Sequence, residues 1–425
     1  MREKNVLWAR GPAAAIAACA VALAAGVTGA APASSAKSPS FTMTIGDVEA
    51  FSGDLGALGP AADKAEKLAV AQLNKAAKQA GLAVTFKLKA ADTQSDPQAA
   101  ISAARQVVNA GATCLTGPIS TPEAIAILNS VTKVRKIAMF PSATSTKLRT
   151  VDDGHTIFRT TPPDSLQAIA LEKAVAQSLG GAGGKVLAIG YQNSPYGEGL
   201  AKTIAAIWTK SGGKVSGPLG YDPNQSSYDS EAGKLTADNP DAFVFADFPD
   251  TFGKVAAALL RTGKFSASKL FVSDALAVTP IPSDIPAEAL NGAHATSAGA
   301  PVGTPQAKAF DKVWRSAPGP GRSPLDANEF DAGIMCGLAA VAAGTNSAAK
   351  VDAQMTRLDG PEGKPFTFTR LADAMKALVA GQRVHYVGVS GPIQFDAHGD
   401  TSSGLYDLST WRDGKLVLVR KINTK

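Results

Sequence analysis

From residue 41 onward the apolar positions of this chain alternate between two spacings. Phe41-Thr42-Met43-Thr44-Ile45 places apolar side chains at every second position, as a half-buried strand requires. Ala65, Leu68, Ala69, Leu73, Ala76 and Ala80 then recur at helical spacing until Gly81 ends the pattern. A second strand follows at Val84, Phe86 and Leu88. Asp96-Pro97 supplies an N-cap and a proline at the first helical position, opening a helix with Ile101, Ala104, Val107 and Val108 on its apolar face and Gly111 as its stop. The same rhythm gives a strand at 113–115, a helix begun by Thr121-Pro122-Glu123, the apolar run 137–140 and a strand near 156–159. A second series starts at Asp164: a helix to Leu179, a strand at 186–189, a helix over 196–210, the run 242–246, a helix ending at Gly263 and a strand at 270–273. Strand and helix in turn predict parallel sheets with helices on both faces, here as two doubly wound α/β units. After Gly292 the pattern loosens into helices at 305–315, 326–343 and 371–380. Short C-terminal strands follow, with Asp413-Gly414 as a hairpin turn, and the polar stretch 346–365 reads as a surface loop.

The first 36 residues follow different rules. Arg2, Lys4 and Arg10 make a basic start, 13–27 is apolar, and Ala31-Pro32-Ala33-Ser34-Ser35-Ala36 offers small residues for cleavage, so 1–36 reads as a secretory signal peptide. The apolar run is shorter than the roughly 20 residues that span a bilayer. Ile16-Ala17-Ala18-Cys19 also fits the loose pattern of a lipoprotein signal. Acylation at Cys19 therefore stays open beside ordinary cleavage further on, and either route exports the chain. The leader holds three basic residues and one acid, so the formal charge of +6 becomes +4 in the remainder, too mild a surplus for nucleic-acid binding. About 390 residues exceed what one hydrophobic core usually serves, which predicts two domains. Of the three cysteines only Cys114 and Cys336 follow the leader; two buried thiols is the plainer reading, with a bridge between them left open.

Several chemistries lack their residues. Gly53, Gly56 and Gly59 have the wrong spacing for a dinucleotide loop, and the Gly180-Gly181-Ala182-Gly183-Gly184-Lys185 run lacks the Ser or Thr of a phosphate loop. His155, His294, His385 and His398 are dispersed, no C-x-x-C occurs and no G-x-S-x-G elbow is present, so neither a metal, a cofactor nor catalysis is expected.

A set of short motifs in a fixed order resembles the branched-chain amino-acid-binding (Leu/Ile/Val-binding) family of periplasmic ABC-transporter substrate-binding proteins, across residues 41–420. They are Ser52-Gly53, Asp92-Thr93-Gln94-Ser95-Asp96-Pro97, Gly117-Pro118, Pro141-Ser142-Ala143-Thr144-Ser145 with Lys147-Leu148, Phe158-Arg159-Thr160, Tyr196-Gly197-Glu198-Gly199-Leu200, and Gly391-Pro392-Ile393-Gln394-Phe395-Asp396 with Gly399-Asp400. The resemblance implies the type I periplasmic binding fold, two Rossmann-like lobes joined by a three-segment hinge. Lobe 1 is expected to comprise 37–160 and 292–388, and lobe 2 to comprise 161–291 and 389–425. Ligand binding between the lobes would stabilise the closed form, which a membrane-bound ABC permease would recognise. The chain is expected to be monomeric.

An α-amino acid needs donors for its carboxylate and an acidic acceptor for its ammonium. Ser120 and Thr121 stand before a predicted helix, and Ser142, Ala143 and Thr144 follow the run 137–140, at the carboxyl end where open sheets bind ligands. By resemblance, Thr121 or Ser120 takes the family's hydroxyl position, and Ser142 and Thr144 match the pair that meets the ligand. A plain helix cap is the alternative for Thr121. From the second lobe, Tyr196 opens a helix and Asp274 follows a strand; Asp274 is the expected ammonium acceptor, against an Asp in a solvated turn. Phe248 and Phe330 are candidates for an apolar side-chain pocket, with a core role equally open to Phe330. Leu58 stands where relatives can carry an aromatic. The expected ligand is a branched-chain or other aliphatic amino acid, with an amide, urea or aromatic acid as alternatives. A sensory receptor would be expected to continue into a membrane span and signalling domain, and an enzyme to turn its ligand over.

Overall fold

The computed structural model describes residues 38–424 except 361 and 403; the leader and Cys19 lie outside them. A four-stranded sheet forms first, from β1 (Ser40–Glu49), β2 (Ala83–Asp92), β3 (Ala112–Thr116) and β4 (Ala138–Phe140), in the order β2-β1-β3-β4 and wholly parallel. β1 is central, so its alternation gives way to continuous burial from Ile45 to Glu49. The helices Gly59–Ala80 and Asp326–Ala343 lie side by side against this sheet. Gly333 and Gly337 let them approach closely, because a Cβ at Gly333 would stand 2.2 Å from Glu66 Oε2 and one at Gly337 would stand 2.4 Å from Leu73 Cδ1. The second helix is buried at every residue from Asp326 to Val341, and Cys336 on it is disulfide-bonded to Cys114 on β3, so the thiol reading gives way to a bridge.

The second sheet is built from β5 (Val186–Gln192), β6 (Lys214–Tyr221), β7 (Ala242–Ala246), β8 (Leu270–Val272) and β9 (His294–Ala298), all parallel. A two-stranded pair, β10 (Lys364–Phe366) with β11 (Val384–Tyr386), stands apart. Last come β12 (Leu405–Arg412) and β13 (Lys415–Asn423), which join the second sheet antiparallel and complete the order β13-β12-β9-β8-β7-β5-β6. Asp413 and Gly414 both have positive φ, as a tight hairpin turn requires. Each sheet has its own core. The first holds Met43, Leu73, Phe86, Phe330 and Met335, and the second is split by its sheet into a face with Phe243, Phe252 and Trp411 and a face with Leu171, Ile204 and Trp208.

Four expectations change. The second crossing between the sheets falls after Ala298, not near Gly292, because β9 hydrogen-bonds to β8 and β12. The third falls after the segment holding Val389 and Ile393, since both are buried in the first core. The stretch 346–365 is no plain surface loop: it contains the helix Ala348–Asp352 and buries Val351, Met355 and Leu358. Residues 156–159 form isolated bridges in place of a strand. Among the described residues, no single helix is long and apolar enough to cross a membrane.

The first core also holds acids. Asp47 and Glu49 on β1 and Glu66 on the helix Gly59–Ala80 are fully buried, and none of their oxygens has a hydrogen-bond partner. Burial, followed by the charges of neighbouring carboxyls, pushes all three well above the ordinary carboxylate range. Because the folded state holds their protons more tightly than the unfolded chain, stability is greatest below the unfolded pKa values and falls as pH rises toward the folded ones. Thermal unfolding should therefore occur at higher temperature at about pH 5 than at about pH 8, and Glu66→Gln should reduce that difference. A melting temperature that rises with pH would contradict this. The bridge closes a loop of 222 residues, so reducing it or replacing both cysteines by alanine should cost about 2–4 kcal/mol in denaturant unfolding. An unchanged midpoint would contradict that role.

Candidate functional site

Between the two sheets, at the carboxyl ends of their parallel strands, lies a narrow cavity of about 20 Å³. Its wall contains Ser120, Thr121, Ser142, Thr144, Tyr196, Phe248 and Asp274, seven of the eight residues expected from sequence. Ala143 is the exception. Its methyl lies in the core beneath the loop with Ile127 and Met139, while Ser142 and Thr144 on either side face the cavity.

The loop that follows β4 is fixed through its carbonyls. Arg159, fully buried, donates from Nη1 to the Ala143 and Ser145 oxygens, both at 3.0 Å, and the Asp164 N–H donates to Thr144 O at 2.8 Å. Arg159 Nε also donates to Asp400 Oδ1 at 2.5 Å, tying this loop to the last crossing segment. Ser145 Oγ reaches across to the second unit and donates to Pro195 O at 2.8 Å. With its carbonyls engaged, the loop presents the Ser142 and Thr144 side chains to the cleft.

Ser120 has extended backbone before the short helix Thr121–Ile127, yet its side chain makes no cap bond and its hydroxyl donates to Glu123. The Thr121 hydroxyl is buried without a partner, which removes the plain-cap reading. Ser142 Oγ donates to Glu329, a residue buried on the helix Asp326–Ala343.

The opposite wall comes from the second sheet. Ser194 caps the helix Pro195–Lys210 by accepting from Gly197 N at 3.1 Å, which sets Tyr196 in the first turn. The Tyr196 hydroxyl donates to Asp274 Oδ1 at 2.7 Å and lies 2.6 Å from Ser273 Oγ, while its ring stacks on Phe248 at 5.3 Å between centroids. Asp274 is buried, not in a solvated turn, and also accepts from the Ala275 N–H at 3.1 Å. Burial raises its pKa, and the Tyr196 bond opposes the rise. Asp164 adds a second buried carboxyl, raised by burial and by the charge of Asp274 and lowered by Thr144 and Arg159. The same two carboxyls, after burial, push the Tyr196 phenol well above its usual range, so it stays a donor.

Leu58, Ile119, Ala275, Pro324 and Leu325 complete the wall with apolar surface, and no Lys, Arg or His is among the lining residues. Phe330 belongs instead to the core, with its ring centroid 4.8 Å from that of Phe310 and 5.2 Å from that of Phe368. Sequence reasoning missed Pro324 and Leu325, which stand in an irregular stretch, and the acids Asp164, Glu123 and Glu329 behind the hydroxyls. Only Ser120-x-x-Glu123 left a signal, as a capping-box spacing.

A larger, open depression of about 380 Å³ shares Pro324 and Leu325 with the cavity. Its charged groups are already paired, Arg322 with Asp311 and Asp326 and Lys421 with Asp407. The smaller cavity therefore has the convergent polar groups of a ligand site.

Known proteins share the fold. A Leu/Ile/Val-binding protein homolog from Brucella melitensis is 24% identical over 380 residues, covering 88% of this chain and 93% of its own. Among solved structures, the leucine-binding protein LivK of Thermotoga maritima is similar with a TM-score of 0.69 at 19% identity, covering 90% of this chain and 99% of that one. LivJ of Streptococcus pneumoniae, solved with isoleucine, gives 0.69 at 20% identity with the same coverage, and an R. palustris solute-binding protein solved with 4-hydroxybenzoate gives 0.67 at 16%, covering 90% of this chain and 96% of that one. The profile of one family, described as periplasmic binding protein, matches residues 42–401, and the chain belongs to that family.

Proposed function

We propose that this protein is the extracytoplasmic receptor of an ABC importer, exported by the leader 1–36, and that it carries an aliphatic amino acid to a membrane permease. One observation carries the choice of ligand: Asp274 is buried, bonded to Tyr196 and next to a second buried carboxyl, in a cavity whose wall offers no cation. Two acids held out of water call for a positive charge from the ligand. An ammonium supplies it. At the facing wall, Ser142, Thr144 and the unpartnered Thr121 hydroxyl are the groups for the carboxylate, and Leu58, Ile119, Phe248 and Leu325 are the surface for an aliphatic side chain. Binding protein, not enzyme, follows from the family.

Membership of the family and the Leu/Ile/Val-binding homolog support the transport reading. The aromatic acid bound by the R. palustris protein brings a negative charge without an ammonium. Beside Asp274 and Asp164 such a ligand gains nothing and meets repulsion. Closure follows if the ligand touches both walls at once, since only contacts added in the closed state shift the population toward it.

The direct test is calorimetric titration of refolded, ligand-free protein with leucine, isoleucine, valine, phenylalanine, a set of small amides and 4-hydroxybenzoate. Micromolar or tighter binding of an aliphatic amino acid is expected, and binding of 4-hydroxybenzoate alone would contradict the ligand assignment. Thr144→Ala should weaken leucine by about 1.5–3 kcal/mol, the worth of a hydrogen bond to a charged group, without loss of folding; unchanged affinity would remove Thr144 from the carboxylate site. Asp274→Asn should cost about 2–5 kcal/mol in leucine affinity and much less for 4-methylpentanoate, which lacks the amino group. An equal loss for both would contradict the ammonium role.

A further inference from the structure

Two hydroxyls of the cleft are bonded away from it. Ser142 Oγ donates to Glu329 and Ser120 Oγ to Glu123, in each case toward a carboxyl buried behind the wall. A hydroxyl has one hydrogen. While Ser142 gives its hydrogen to an ionised Glu329, it turns only lone pairs toward the cavity, and a ligand carboxylate there meets both those lone pairs and the charge behind them.

Nothing around Glu329 offsets that charge. It is fully buried on the helix Asp326–Ala343, and its second oxygen, Oε2, has no hydrogen-bond partner. From β1 it is faced by Asp47 and Glu49, and from the helix Gly59–Ala80 by Glu66. Behind these, Glu123 on the helix Thr121–Ile127 acts on Glu49, while Asp63 and the one cation of the group, Lys67, act on Asp47. The loop after β4 contributes Ser142. Among the described residues, no group of His, Cys, Asp and Glu side chains is arranged to hold a metal ion.

We propose that Glu329 is a positioning residue for the ligand carboxylate, acting through Ser142, and that amino acid and proton are taken up together. A proton from water binds the Glu329 carboxylate. Its O–H then donates to Ser142 Oγ, and the Ser142 hydrogen is released to the ligand carboxylate. The inference rests on the amino-acid reading of the same cleft. It separates this cleft from one in which a serine donor is always free.

The pH dependence has a definite sign. Burial pushes Glu329 up to about 7, against the lowering by Ser142. A carboxylate bound beside it raises that value further, so affinity is full below the free-state pKa and falls as pH rises through it, by up to about tenfold per unit for one proton. At the other wall, Asp274 has to be ionised to accept an ammonium. Its pKa is raised by burial and would be lowered by the ligand, so affinity also falls toward acid. Leucine's own groups do not titrate between these limbs.

The experiment is titration calorimetry of leucine from about pH 5.5 to about pH 8.5, in pairs of buffers with different ionisation enthalpies, so that protons exchanged on binding are counted. The wild type should take up a proton on the alkaline limb and lose roughly tenfold affinity per unit there. Glu329→Gln supplies a permanent amide donor to Ser142. It should keep the wild type's near-neutral affinity at alkaline pH and take up no proton on that limb. A wild type with flat alkaline affinity and no proton uptake overturns the proposal, as does a Glu329→Gln variant that keeps the wild-type slope. If that variant does not fold, the proton count of the wild type decides alone. If leucine and its aliphatic relatives bind at no pH, the amino-acid reading falls and this inference with it, whereas binding without proton linkage removes this inference only.

Discussion

Carboxyl groups held out of water are the constraint on which the cleft depends. Asp274 stands at one wall, Asp164 is buried within reach of both Asp274 and Thr144, Glu123 and Glu329 stand behind Ser120 and Ser142, and Asp47, Glu49 and Glu66 fill the space between β1 and its helices. A buried carboxylate without a cation is costly, so each of these groups either holds a proton or waits for a positive partner. Tyr196 partly satisfies Asp274 and Ser142 partly satisfies Glu329, and both donors line the same cavity. Ligand chemistry and the proton state of the core are thereby joined.

Geometry makes that joining possible. The parallel strands of both sheets end at the cavity, and the loops after β4, β7 and β8 reach it from both sides. Arg159 fixes the loop after β4 to the crossing segment at Asp400, and Thr160 and Asn328 exchange hydrogen bonds of 2.9 and 2.7 Å where the chain first crosses. The polar groups of the site are thus anchored to the segments that would move if the sheets hinged. A ligand touching both walls would act on those segments directly.

Much of this was legible in the sequence because it is written locally. The helix Asp326–Ala343 and strand β7 match their expected bounds, since unbroken apolar runs between clear stops leave little choice of period. Asp96 caps its helix by accepting from Gln98 N and Ala99 N, as its position before Pro97 implied. Seven cavity residues could be chosen because loops at strand ends are where such folds gather ligand groups. What failed was nonlocal. Strand β6 was missed because it is a half-exposed edge strand carrying Gly217, Pro218 and Gly220, which read as turn residues. Ala143 was placed in the site because alternation within a short loop is invisible before its carbonyls find partners. The acids Asp47 and Glu49 lie beyond the strand expected over 41–45, and only the packing of two helices over β1 buries them. The disulfide likewise joins positions 222 residues apart, a distance at which spacing says nothing.

In the proposed complex the cleft takes an ammonium at Asp274 and a carboxylate at the loop after β4. A crystal structure of the protein grown with leucine tests it most directly. The ligand nitrogen is expected within hydrogen-bond distance of the Asp274 carboxylate, the ligand carboxylate against Ser142 and Thr144, and the isobutyl group among Leu58, Ile119, Phe248 and Leu325. A leucine bound the other way round, or seated in the larger depression lined by Arg322 and Lys421, would contradict it.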